Sequence, residues 1–142
     1  MDINFKNIHI GSLLEQKTRE LEIETSRICN FIKCDEKEVE NMFLQKDMPT
    51  DILLRWCKLL EYDFFRLYSQ HLILFSPSVR RNNDRTHKIC QLPQFRKNIY
   101  TKEVITFILE LIRSGEKTKQ QVISEYRIPK TTLFKWVSKY NV

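Results

Sequence analysis

Residues 100–140 read YTKEVITFILELIRSGEKTKQQVISEYRIPKTTLFKWVSKY, and local chemistry alone marks off three helices in them. Thr101 can cap a helix running to Ser114, in which Val104, Ile105, Ile108, Leu111 and Ile112 recur on one face. Arg113 lies in its last turn and Gly115 follows, as a helix end requires. Thr118 and Gln121 have the spacing of a capping box, which predicts a short helix over 119–126 with Val122, Ile123 and Tyr126 inward. Arg127-Ile128-Pro129 then interrupts the chain, because Pro129 lacks the amide that continuation would need. The last helix is expected from Lys130 to Tyr140, packing through Leu133, Trp136, Val137 and Tyr140.

The opposite face of that last helix carries Thr131, Lys135 and Ser138, flanked by Thr132 and Lys139, with Lys130 at its start. It has no carboxylate. Hydroxyls can reach phosphates or base edges, and lysines can reach guanine acceptors, so such a face suits a DNA major groove. Lys119, opening the preceding helix, joins the same set. Two short helices joined by a three- or four-residue turn, closed by a third, have the plan of a helix-turn-helix.

Charge agrees with this reading. The net charge of +6 divides into −3 over residues 1–75 and +9 over residues 76–142. A basic half favours a polyanionic partner, since each cation placed on a phosphate releases a condensed counterion. Between the two halves, SPSVRRNNDRTHKICQLPQFRKN (76–98) has two prolines and no apolar period, and reads as a basic linker. Arg80 and Arg81 in it are candidates to touch the DNA backbone, the alternative being a solvated tether.

Upstream, apolar spacing predicts five more helices, over about 8–22, 25–32, 36–44, 50–62 (capped by Thr50) and 64–75. The fold class is therefore all-α. The expected division is a five-helix domain (1–75), a linker (76–98) and a three-helix module (99–142). Phe64, Phe65, Leu67, Tyr68, Leu72 and Ile73 are either core or a surface for homodimer formation through residues 1–75.

The C-terminal stretch resembles the helix-turn-helix of insertion-sequence transposases, the kind carried by the small first-frame protein of many bacterial elements. The matching features are a helix ending at Ser114-Gly115, then T-x-x-Q-V-I-x-E-Y-x-I-P, then T-L-x-x-W-V. The resemblance implies binding to the terminal inverted repeats of an element, with Lys130, Thr131, Thr132 and Lys135 at the recognition positions. Residues 1–75 resemble a Cro/λ-repressor helical domain, through Ile10-Gly11, IETSRICNFIKC (23–34) and MPTDILLRWCKLLEY (48–62). They depart from it where that family's recognition helix would stand. DEKEVENMF (35–43) sets Asp35, Glu36, Glu38 and Glu40 against Lys37, and phosphates would repel it.

Other functions find less support. No phosphate loop, nucleophile elbow or H-E-x-x-H motif occurs, so no catalytic residue and no cofactor is expected. Cys29, Cys34, Cys57 and Cys90 form no C-x-x-C pair, which argues against a metal; Cys29 and Cys57 read as small core residues. His9, His71 and His87 read as a terminal, a helix-surface and a linker histidine. The apolar run 52–75 is broken by five charges and cannot span a bilayer, and the basic, apolar opening of a secretory signal is missing. The expectation is a cytoplasmic protein with no membrane partner and no small-molecule substrate. The expected function is sequence-specific binding of double-stranded DNA, in transposition or transcription regulation. The alternatives are an interaction adaptor with a basic tail and, less favoured for lack of a strand pair or G-x-x-G clamp, an RNA binder.

Overall fold

The computed structural model describes residues 3–76, 91–93 and 99–142. Those residues form eight α-helices and no strand. In chain order they are α1 (Ile10–Glu20), α2 (Thr25–Ile32), α3 (Glu36–Leu44), α4 (Thr50–Leu60), α5 (Phe65–Phe75), α6 (Lys102–Arg113), α7 (Lys119–Tyr126) and α8 (Lys130–Tyr140). None is long and apolar enough to cross a membrane. Two compact units are formed, one from Asn4–Ser69 and one from Ile3 with the described residues of Gln70–Val142. The division falls inside α5, six residues before the end that composition suggests.

In the first unit α1 and α2 each pack against α3 and α4. Ile10, Leu14, Ile28, Val39, Trp56 and Leu60 are buried there almost completely. The Trp56 ring lies 5.7 Å from that of Phe43, and its indole N–H donates to the Met42 sulfur at 3.4 Å. A buried indole is tolerated when its N–H finds such a partner. Phe64 and Leu67 also belong to this core, so they are withdrawn from any pairing surface. Phe31, expected beside Ile28 and Ile32, is instead nearly half exposed.

The start of α1 sits against the end of α3. The amides of Ile10 and Gly11 donate to the carbonyl oxygens of Lys46 and Gln45, each at 3.0 Å. A Cβ at Gly11 would stand 2.5 Å from the carbonyl oxygens of Met42, Phe43 and Gln45, closer than side chains approach. Glycine is here a packing requirement. His9 caps α1 by accepting from the Ser12 amide at 3.2 Å through Nδ1, a role beyond the terminal one that its position implied.

The acidic start of α3 has a local cause. Asp35 accepts from the Glu38 amide at 2.8 Å, and the Glu38 carboxylate accepts from the Asp35 amide at 2.9 Å. Both carboxylates also complement the positive end of the helix dipole. Thr50, by contrast, does not cap α4: Pro49 occupies that position, and Thr50 is already the first helical residue.

In the second unit α6 and α7 both pack on α8. Val104, Ile108, Val122, Ile128 and Leu133 close its core, and Leu109 joins them although it lies off the expected stripe. Ile128, in the turn, is buried because Arg127 takes a left-handed conformation (φ 56°, ψ 33°) that reverses the chain. The second half of α5 belongs to this unit. Gln70, only 2% exposed, donates from Nε2 to the Ile99 carbonyl at 2.7 Å and accepts at Oε1 from the Thr101 amide at 3.2 Å. Phe75 meets Phe107 edge to face, with centroids 6.5 Å apart.

Candidate nucleic-acid interface

The candidate face is positioned by the cap of α7 and the turn between α7 and α8. Thr118 caps α7 by accepting from the Gln121 amide at 3.2 Å, while the Gln121 side chain accepts from the Thr118 amide at 2.8 Å. Arg127 ends α7 and Pro129 precedes α8, so the turn occupies residues 127–129 alone. α8 is then anchored from within by Leu133, which is fully buried, and by Trp136, whose ring stands edge-on to that of Tyr100 at 4.9 Å. Trp136 is thus a packing residue. Val137 is half-buried, and Tyr140, expected inward, is 37% exposed.

The outer face of α8 carries the residues that the sequence assigned to DNA. Lys130, Thr131, Lys135, Ser138 and Lys139 are all exposed, and Lys119 is exposed on α7; Thr132 is half-buried. The Lys139 ammonium lies 5.6 Å from the Tyr140 ring centre. Arg80 and Arg81 lie outside the described residues, as does most of the linker. Residues 118–140 contain a single carboxylate, Glu125. It pairs with Lys117, whose ammonium it holds above the usual lysine range. That pairing leaves Lys119, Arg127, Lys130, Lys135 and Lys139 without an opposing charge inside the segment.

One surface residue of the same face was missed by the periodicity. Phe134 is 45% exposed and lies among Thr131, Lys135 and Ser138, three or four residues away or adjacent. The ammonium groups of Lys119 and Lys130 stand 5.9 Å and 5.7 Å from its ring centre, within cation–π range. The signal was available: an aromatic residue beside Leu133 but out of step with the inward stripe 133, 136, 137.

Among the described residues no group of three or more His, Cys, Asp or Glu side chains is placed to hold a metal ion. Burial pushes the Cys34 thiol up, helped by Cys29 and the carboxylates of Glu38 and Asp35, and burial pushes the Cys57 thiol up as well. Comparison with protein-family models, with curated proteins and with solved structures finds no match to the chain.

Proposed function

We propose that the chain is a non-catalytic, sequence-specific binder of double-stranded DNA, in which α7 and α8 act as a helix-turn-helix and α8 enters the major groove. The observation that carries this reading is the division of α8. Leu133 is sealed in the core, while Lys130, Thr131, Phe134, Lys135 and Ser138 are open on one side with no carboxylate among them. Hydroxyls and lysines so arranged can position on phosphates and read base edges. The likeness of residues 100–140 to insertion-sequence transposases makes a transposon end-binding protein, or a regulator descended from one, the role that fits this face. The acidic α3 is assigned no DNA contact, since its carboxylates would oppose phosphate. Pairing of two copies through residues 1–75 would give two symmetric half-sites. Of the apolar residues open to such pairing, Leu72 is 56% exposed.

The test is selection of bound sites from a random duplex library by the full chain, at near-physiological salt with competitor DNA. One enriched motif, relaxed at one position in Lys135→Ala, is the expected result. Binding without enrichment that simply fades as salt rises would overturn it. That outcome would favour an adaptor, for which an open groove of about 240 Å³ lined by Glu38, Met42, Met48 and Ile52 has room for a partner's side chain.

A further inference from the structure

We infer that Phe134 is a specificity-determining residue that reads the C5-methyl group of a thymine in the major groove. This rests on the DNA-binding reading of α8 and names one chemical feature of its target. Positions 131, 134, 135 and 138 share a helical face, so any surface that meets Thr131, Lys135 and Ser138 also meets the Phe134 ring. Nearly half of that ring is open to solvent, at the centre of an otherwise polar and cationic face.

The ring sits where the first turns of α7 and α8 supply their lysines. Lys119 and Lys130 each hold an ammonium group within 6 Å of its centre, so the aromatic surface and two phosphate-seeking charges form one patch. A duplex offers few apolar partners to such a patch. Its bases are stacked and their major-groove edges are donors and acceptors, except for the thymine methyl, which phenylalanine is suited to contact. The lysines would then meet backbone oxygens while the ring excludes water from the methyl. Ammonium and hydroxyl groups give no preference for thymine over uracil; the ring does, with a larger apolar surface than the methyl group of Thr131.

The experiment uses the full chain and the duplex recovered by the library selection, with each thymine replaced in turn by deoxyuridine. That replacement removes one methyl group and keeps every hydrogen-bonding atom of the base. The wild-type chain is expected to lose about fourfold in affinity at one thymine, the worth of one buried methyl. Phe134→Ala is expected to bind the thymine duplex about fourfold more weakly and to be indifferent to the replacement. Phe134→Leu should restore part of the sensitivity. An enriched motif that tolerates uracil at every position overturns the inference while leaving the DNA reading intact, as does a motif without thymine. Persistence of the same uracil penalty in Phe134→Ala also overturns it. Failure to enrich any motif, by contrast, rejects the DNA reading itself.

Discussion

Gly11 donates its amide hydrogen to the carbonyl oxygen of Gln45 at 3.0 Å, and a Cβ on Gly11 would stand 2.5 Å from that same oxygen. The hydrogen bond and the missing side chain are two aspects of one approach, in which the first turn of α1 meets the last turn of α3. Gly11→Ala gains up to about 1 kcal/mol of helix propensity. It meets three backbone oxygens that cannot rotate away, and overpacking of this kind costs about 1–3 kcal/mol. The clash wins. Thermal unfolding followed by circular dichroism should show a midpoint lower by roughly 5–10 °C; an unchanged or higher midpoint would mean that α1 and α3 do not meet this closely.

Thr118→Ala removes the oxygen that accepts from the Gln121 amide. The expected loss is about 1 kcal/mol, and Thr118→Ser should recover most of it. Amide exchange in the first turn of α7 is the direct measurement. Equal protection in Thr118→Ala and wild type would show that the capping box does not hold α7 in solution.

Lys135→Ala and the double change Arg80→Ala with Arg81→Ala should separate in kind. The first removes a contact to a base edge and should relax the preference at one position of the recovered site by about 1–3 kcal/mol. The second should weaken all duplexes alike and flatten the salt dependence of log K by about 2, near 0.9 per lost phosphate contact. Measured affinities for matched and scrambled duplexes across a salt series decide it. Full site preference in the Lys135 variant would sink the groove assignment.

The thiols of Cys34 and Cys57 should be sluggish at neutral pH. Burial raises both above the ordinary thiol value, which lowers the thiolate fraction at any given pH, and the thiolate is the nucleophile. Alkylation by iodoacetamide, read site by site by mass spectrometry, should run slower than for glutathione at neutral pH. It should accelerate only as the pH climbs past the ordinary thiol value of about 8.5. Labelling at the glutathione rate would contradict the raised thiol values that their partial burial gives.

Where a helix announces itself by a cap and a stop, its limits could be read from the residues. α7 begins and ends, and α8 begins, where Thr118, Gln121 and Pro129 imply, whereas apolar spacing places α3 and its cap of Asp35 and Glu38 emerges only in the structure. Legibility failed where the decisive atom belongs to a distant segment. Gly11 looks like an ordinary helix glycine until the end of α3 is placed against it. Gln70, between Ser69 and His71, has the composition of a solvent face, yet it is buried by partners 29 and 31 residues away. His9 caps a helix with a ring nitrogen, which falls outside the usual serine, threonine and aspartate pattern. On α8 the exposure of Lys130, Thr131, Lys135 and Ser138 was legible from helical spacing. Phe134 was overlooked although it falls out of step with the inward stripe, because an exposed aromatic gives no charge or hydroxyl signal.

The grip of Gln70 on the backbone at residues 99 and 101 bears on how this chain can be divided or inherited. A gene fragment opening at codon 99 would encode α6, α7 and α8 whole, yet would strand the Ile99 carbonyl and the Thr101 amide that Gln70 satisfies. Those two groups would turn to water instead, at a cost of about 0.5–1.5 kcal/mol for each hydrogen bond lost. It would also strip Phe107 of Phe75. The portable unit therefore opens upstream, within α5. Recombination that shuffled the last three helices among proteins would have had to carry part of that helix along, or supply a substitute glutamine in its place.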